Sequence, residues 1–488
     1  MPDLATFTLP GTRTDGRTSI ATKIGAVYVF LLFCRLLELL AFFGFGGLRL
    51  MLVMTLVALV AVVLTGNFIR AFRAPLGILL VSFTGWMIVS MPFSTWRSET
   101  LNQFGNMWLK SLIAYFITAG LAAGVSGFAK VTRAVGWATA AACVLVVQGL
   151  AAATDGKGDR LIGVGTLSNP NEIAFHFWLG IPFLILLATR ATFLKKALLW
   201  GICLLELGLI TKTLSREGLL LGAVVFVLTL VRVSIGNKLK LVIAAGLLCV
   251  SAYFMLSSEA LDRYLSLFTD KVNSATAMSA AASSRARQQK LHESIELTTR
   301  HPIFGVGMGV FMPASVDLAK ERGVRADWEV SHNSYTQVSS ELGIPGLLLL
   351  VMTFVIAFRQ VIRIDRAAKC HRRDDVRQFA FVLLLALVVL SLHFCFDSMA
   401  YVFYLPMVMG LVAAFGMTYQ HLADEEVKSE GSGMETGAYM HSGSYESKVL
   451  TARVAASRPN AVSGRSPYRF GRRRNQREFN HGSRNEFS

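Results

Sequence analysis

The chain is patterned in long apolar runs separated by polar connections. Each run has about twenty residues, the length that an α-helix needs to cross a bilayer. Barrel strands are excluded because they alternate over ~10 residues, whereas these runs are apolar throughout. The pattern predicts an all-α, polytopic membrane protein with about 12 transmembrane helices. The predicted spans are Ile24–Phe43, Leu48–Thr65, Pro75–Met91, Leu109–Gly127, Val131–Ala153, Asn171–Ala188, Leu194–Ile210, Gly218–Val233, Leu239–Leu256, Gly343–Phe358, Phe379–Phe396 and Ala400–Tyr419.

One long polar block interrupts this pattern and divides the chain into five parts. A loop of that size is usually functional. The C-terminal part is rich in Ser, Gly, Asn and Arg and has almost no apolar periodicity, which predicts a disordered, basic tail. The parts are an N-terminal segment (1–23), helices one to nine (24–256), a large loop (257–342), helices ten to twelve (343–420) and the tail (421–488).

Lysines and arginines in the short connections predict the orientation, because they collect on the cytoplasmic side. With the N-terminus inside, the richest inside connection is the one before the last two helices, with Arg359, Arg363, Arg366, Lys369, Arg372, Arg373 and Arg377. Both termini are therefore expected in the cytoplasm and the large loop outside the inner membrane. No cleavable signal peptide is expected, because Met1–Lys23 is polar and the first apolar run continues into a full span.

The composition supports a membrane protein and limits the kinds of partner that it is expected to bind. Hydrophobic residues make up 53% of the chain, charged residues only 16%, and the mean hydropathy is +0.51. The net charge of +17 owes much to the tail and the inside connections, where a basic segment most often contacts anionic membrane lipids. No fold or aromatic platform supports nucleic-acid binding. None of the six cysteines lies in the large loop, so no disulfide framework is expected there.

Two segments place arginines at the outer face. Arg216 follows Ser215 at the start of the eighth predicted helix. One interpretation is an anchor that extends to the membrane interface; the other is an anion site that combines a guanidinium with a helix N-terminus. In the loop, Ser283 or Ser284 is a plausible N-cap of a polar helix that ends before Pro302, and Arg285 is its better ligand candidate. The neighbouring Arg287 and Lys290 are interpreted as a solvated face.

The third segment runs from a glycine-rich stretch to a histidine. Gly305, Gly307 and Gly309 lack the strand and helix of a nucleotide-binding loop, so they are interpreted as a tight turn. His332 stands directly before the next helix, and a histidine can accept a proton from a hydroxyl at neutral pH. A purely structural histidine is the competing interpretation.

Ionisable residues also occur inside the predicted helices, where they usually face a bundle interior or a wet cavity. They are Glu38, His176, Glu206, His393 and Asp397, all toward the outer ends of their helices. His393 and Asp397 are four residues apart, so they are expected to satisfy one another. No cluster has the spacing of a zinc or magnesium site, so no metal and no other cofactor is expected.

Short motifs follow one another in a fixed order from Ser168 to Gly346, within a resemblance that covers roughly Asn67 to Gln420. They are Ser168-Asn169-Pro170-Asn171-Glu172, Ser215-Arg216-Glu217-Gly218, Ser284-Arg285, His301-Pro302-Ile303-Phe304-Gly305-Val306-Gly307, His332-Asn333-Ser334-Tyr335-Thr336-Gln337 and Glu341-Leu342-Gly343-Ile344-Pro345-Gly346. Together they resemble the O-antigen ligase/polymerase family of bacterial envelope glycosyltransferases. The family usually has leucine where Thr336 stands, and the arginine-rich tail is not part of its pattern.

The resemblance implies a GT-C-like, metal-independent enzyme on the outer face of the inner membrane. Such enzymes take a glycan from undecaprenyl diphosphate and transfer it to lipid A-core, to a growing lipopolysaccharide or exopolysaccharide chain, or to protein serine. The family's essential residues fall on Arg216, Arg285 and His332. The arginines would bind the diphosphate, and His332 would act as general base or orient the acceptor hydroxyl, with inversion at the anomeric carbon. Weaker substrate-binding candidates are Asn169, Asn333, Tyr335 and Gln337.

Three other functions remain open on the sequence. A repeat-unit polymerase or a protein O-oligosaccharyltransferase would share the donor site with a ligase, and the acceptor site is not readable. A flippase or transporter for lipid-linked sugars is a different class with a similar number of helices. Transporters often show internal repeats and binding groups at the membrane midplane, whereas this chain shows no repeat and has its polar residues at one face.

Overall fold

The structure is a computed structural model that describes residues 20–36, 49–150, 161, 167, 169–256, 264, 275–325, 327–425 and 427. Every regular element of this part of the chain is helical, which confirms the all-α prediction. The helices are α1 (Ile20–Cys34), α2 (Leu50–Leu64), α3 (Asn67–Arg73), α4 (Pro75–Ser90), α5 (Arg97–Gln103), α6 (Leu109–Leu121), α7 (Val125–Leu150), α8 (Pro170–Thr189), α9 (Phe193–Lys212), α10 (Arg216–Arg232), α11 (Ile235–Met255), α12 (Ala275–Arg300), α13 (Phe311–Glu321), α14 (Ser334–Cys370), α15 (Asp374–His393) and α16 (404–425).

Each predicted apolar run overlaps one of these helices, but fewer helices meet the requirements for a membrane span. Among the described residues, five helices are long and apolar enough to cross a membrane, or six if the bent pair α2 and α3 forms one span. The five are Pro75–Phe93, Val125–Val147, Pro170–Thr189, Ser334–Cys370 and Asp374–His393. The count of about 12 spans stays a prediction. Glu38 and almost the whole predicted tail lie outside the described residues.

Helix α8 forms the centre of the bundle. It is apolar on all sides, as expected for a helix surrounded by other helices, and it packs against α7, α9, α10 and α15. The apolar stretch of α8 is 78% buried, the highest value among the five candidate spans. Because α10 and α15 both contact α8 and each other, the start of α10 lies close to the end of α15.

The glycine-rich loop is fixed to a break in α14. Gly343 has φ +71° and ψ −175°, which interrupts the helix. Backbone hydrogen bonds join the loop to this break: Val306 N donates to Ser340 O at 2.8 Å, and Ile344 N donates to Pro302 O at 2.8 Å. A Cβ on Gly343 would lie 2.1 Å from the Ile303 carbonyl oxygen, so only glycine permits this approach. The predicted tight turn is therefore present.

We predict that Gly343→Ala destabilises the protein far more than Gly66→Ala. Both glycines have positive φ, but a Cβ on Gly66 would meet nothing within 4 Å. Gly66→Ala should cost about 1 kcal/mol for its left-handed backbone, whereas Gly343→Ala adds a backbone clash and should exceed ~3 kcal/mol. The measurement is the fraction of protein that stays monodisperse in detergent after heating. Equal losses in the two variants would contradict the packing described here.

Candidate functional site

Arg216 is the first residue of α10, and short polar contacts fix the backbone around it. Ser215 caps the helix, since its Oγ accepts a hydrogen bond from Gly218 N at 3.0 Å. The same hydroxyl donates to Asn171 Oδ1 at 2.6 Å, which ties the start of α10 to the start of α8. The half-buried Arg216 side chain thus adds a full positive charge to the partial positive charge of a helix N-terminus. Such an end favours an anionic ligand.

His332 occupies a strained turn directly before α14. Its φ of +52° lies in the left-handed region, which non-glycine residues rarely adopt. The following residue, Asn333, caps α14 because its Oδ1 accepts hydrogen bonds from Tyr335 N at 3.0 Å and Thr336 N at 3.1 Å. Single residues held in such conformations by their surroundings are frequent at functional sites. The imidazole itself is half-buried.

The residues that follow α15 hold this turn in place. Ser334 Oγ donates a hydrogen bond to the backbone oxygen of Asp397 at 2.6 Å. On the other side of His332, the hydroxyls of Ser331 and Ser398 are 2.8 Å apart and share a hydrogen bond. The turn is therefore fixed on both sides of the histidine to the chain that leaves α15.

Arg285 and Arg287 lie on opposite faces of α12, since residues two positions apart are separated by ~200° around a helix. Arg285, the sequence-predicted ligand, is exposed, whereas Arg287 is half-buried. The positive charge of Arg287 acts on both Arg216 and His332. The structure thus brings Arg216, Arg287 and His332 together from three elements. Interpreting Arg287 as part of a solvated face was wrong, and α12 begins at Ala275 rather than at Ser283 or Ser284.

The surroundings of His332 favour its neutral form. Burial lowers the pKa of His332, and the positive charges of Arg287 and Lys290 lower it further. The negative charges of Asp397 and Glu329 oppose this shift without cancelling it. At neutral pH the imidazole is therefore neutral, and one ring nitrogen can accept a proton.

Buried carboxylates lie beside these cationic groups. Glu217 pairs with His393 Nδ1, and the His393 ring stacks on Phe175 with centroids 3.7 Å apart. The expected pairing of His393 with Asp397 is therefore wrong. Glu217 Oε2 and Asp397 Oδ2 are buried and, among the described residues, have no hydrogen-bond partner. The charge of Arg287 reaches Glu217 and that of Asp397 reaches His332, so both carboxylates belong to the site.

The side chains of the weaker sequence candidates contact other groups of the protein. Asn169 caps α8, with its Oδ1 accepting from Asn171 N at 3.0 Å. Asn333 caps α14, and Tyr335 Oη donates to the Ser391 carbonyl oxygen at 3.0 Å. Gln337 lies beside Glu341 in α14. These contacts shape the site, and substrate binding by these residues stays a prediction.

Two other intramembrane groups lie apart from this site. His176 Nδ1 is 2.9 Å from Tyr404 Oη and its ring stacks on Phe33. Glu206 is fully buried in a separate apolar cluster. In the part of the chain that the structure describes, no group of three or more His, Cys, Asp or Glu residues could hold a metal ion.

Comparison with known families agrees with the motifs and the site. The model of the O-antigen ligase family matches residues 201–351, just under a third of the chain. This segment includes Arg216, Arg285, Arg287 and His332, while Asn169 lies outside it. No curated protein matches the chain. Residues 201–351 thus carry an O-antigen ligase domain, which supports the resemblance to the O-antigen ligase/polymerase family, and the chain is a multi-pass membrane protein.

Proposed function

We propose that this protein transfers a glycan from undecaprenyl diphosphate to an acceptor hydroxyl on the outer face of the bacterial inner membrane. The acceptor is lipid A-core or a growing polysaccharide, the anomeric centre inverts, and no metal takes part. Both termini lie in the cytoplasm, as the distribution of basic residues favours. The observation that carries the proposal is that Arg287 of α12 acts through its charge on both Arg216 at the start of α10 and the neutral His332.

The arginines supply the charge that the donor requires. Arg216 at the start of α10 and Arg287 on α12 would bind the diphosphate through forked N–H donors, which match phosphate oxygens well. As the glycosidic bond breaks, negative charge accumulates on the departing diphosphate. Cations already in position stabilise that charge most effectively where water is scarce. The leaving group then needs no general acid.

His332 would act on the acceptor. Its neutral imidazole accepts the proton of the attacking hydroxyl while the oxygen forms a bond to the anomeric carbon. Attack comes from the face opposite the diphosphate, so one displacement inverts the configuration. The Asp397 charge near His332 would stabilise the imidazolium that forms. Asn333 and the turn fixed to the chain after α15 would hold the ring in position.

Polymerase and protein O-oligosaccharyltransferase activities share this donor chemistry and differ only in the acceptor. A lipid-linked sugar flippase is the alternative outside the enzymes, and it would not require a neutral histidine beside the two arginines.

The decisive experiment is reconstitution of the purified protein with an undecaprenyl diphosphate-linked glycan, with EDTA and one candidate acceptor at a time. Release of lipid diphosphate that depends on an acceptor supports the transferase. Movement of the intact donor across the vesicle without turnover would identify a flippase.

We predict that Arg287→Ala and Arg285→Ala differ strongly in kcat/KM in this assay. Loss of a preorganised electrostatic group costs about 10²- to 10³-fold in rate, so Arg287→Ala and Arg216→Ala should each lose that much in kcat/KM. Arg285→Ala, two residues away on the exposed face, should stay within about threefold of the wild type. A loss in Arg285→Ala comparable to that in Arg216→Ala would instead restore Arg285 as the ligand.

We also predict that His332 controls the acidic limb of the pH profile. Because its pKa is lowered in the folded protein, kcat/KM should rise with pH through a midpoint below the ordinary histidine value of about 6.5 and be flat at pH 7. His332→Ala should lose about 10²- to 10⁴-fold in activity, and its residual rate should lack this limb. An identical limb in His332→Ala would assign the titration to another group.

A further inference from the structure

A buried ion pair lies in the large loop, one helical turn from Arg287. Lys290 is 3% exposed, and its Nζ donates to Glu293 Oε2 at 2.9 Å and to Ser315 Oγ at 2.9 Å. A third hydrogen bond runs from Lys290 Nζ to the backbone oxygen of Asp327 at 3.2 Å. Ser315 completes the cluster by donating to Glu293 Oε2 at 2.5 Å. All three ammonium donors are therefore used inside the protein.

This cluster joins three elements of the site. Lys290 and Arg287 share a face of α12, because residues three apart are neighbours on a helix. Ser315 belongs to α13, and Asp327 lies five residues before His332 on the segment that leads into the strained turn. That segment is fixed at its far end by the Ser331–Ser398 hydrogen bond. Lys290 therefore holds the start of this segment, at Asp327, to α12, the helix that carries Arg287.

We propose that Lys290 is a positioning residue for the glycan transfer proposed above, because it sets the Arg287 guanidinium and the His332 imidazole relative to one another. The inference rests on the proposed function, and it adds a residue that contacts neither the donor nor the acceptor. Arg287 and His332 are supplied by separate elements, so a tie between those elements decides whether both groups meet one substrate. Small displacements of catalytic groups are costly in rate.

The chemistry of the cluster suits positioning more than stabilisation. A buried ion pair is often no more stable than apolar side chains of similar volume, because both charges lose their hydration. Burial alone would raise the pKa of Glu293, but hydrogen bonds from Ser315, Lys290 and Gln289 outweigh it and hold that pKa below the ordinary value. Glu293 therefore stays ionised, and the directional hydrogen bonds of the cluster define one geometry.

Lys290 also acts on His332 through its charge. The charged groups that face the imidazole are Arg287 and Lys290 from α12, Asp397 from the chain after α15, and Glu329 from its own segment. Removing the positive charge of Lys290 therefore raises the pKa of His332. A residue that served only to keep the loop folded would not move this titration.

The test compares the double variant Lys290→Met/Glu293→Met with Lys290→Arg and Lys320→Met. The double variant replaces the ion pair with apolar side chains and avoids leaving a buried charge alone. Lys290→Arg keeps the positive charge, and Lys320 is a loop lysine with a 69% exposed side chain. One readout is the pH midpoint at which diethyl pyrocarbonate modifies His332, followed by peptide mass spectrometry. The other is kcat in the transfer assay.

In the double variant we expect the His332 midpoint to rise and kcat to fall about tenfold or more. Lys290→Arg should keep the wild-type midpoint and recover most of kcat, and Lys320→Met should change neither. Three results would overturn the inference. The first is a fall in kcat of the double variant with an unchanged His332 midpoint, and the second is a wild-type kcat in the double variant. The third is the same changes in Lys320→Met. The His332 midpoint can be measured without glycan transfer. If the wild type transfers no glycan, the proposed function fails, but the midpoint still decides whether Lys290 acts on His332.

Discussion

Repulsion between two guanidinium groups is the constraint on which this site depends. Burial and the positive charge of Arg287 both lower the pKa of Arg216, and the effect of Arg287 is the sign of this repulsion. Arg216 and Arg287 come from separate helices, and nothing in their local sequence holds them together. Buried Asp397 supplies compensating negative charge from the chain after α15. An anionic ligand between the arginines would complete the balance, which is why the arrangement suits a diphosphate.

The fold solves this problem with hydrogen bonds made outside the charged side chains themselves. Ser215 binds α10 to α8 through Asn171, and Ser334 binds the His332 turn to the chain after α15. The glycine-rich loop then fixes the end of α12 to the break in α14 at Gly343. Short neutral hydrogen bonds of this kind keep their geometry when the net charge of the site changes. The arginines can therefore bind and release an anion without a rearrangement of the elements that carry them.

The sequence predicted the helices well because apolar runs of membrane length have few alternative structures. It also predicted the end of α12 before Pro302 and the positions of Arg216 and His332 at element ends, where local capping signals are strong. It did not predict Arg287. Leu291 and Ile295 form an apolar pair on α12, but Ile295 is 48% exposed, so apolar spacing does not mark the buried face. The pairing of Glu217 with His393 was equally unpredictable, because those residues are 176 positions apart.

The face of α12 that is actually buried contains Arg287, Lys290, Ser294 and Leu297, spaced three, four and three residues apart. That spacing is the ordinary signature of a helix side packed on protein, but three of the four residues are polar. A search for apolar periodicity therefore passes over it. Polar residues are placed on a buried face only when each has a specific partner, since an unpaired one costs free energy. The stripe of polar residues thus marks the side of α12 that packs on protein, and it leads directly from Leu297 to Arg287.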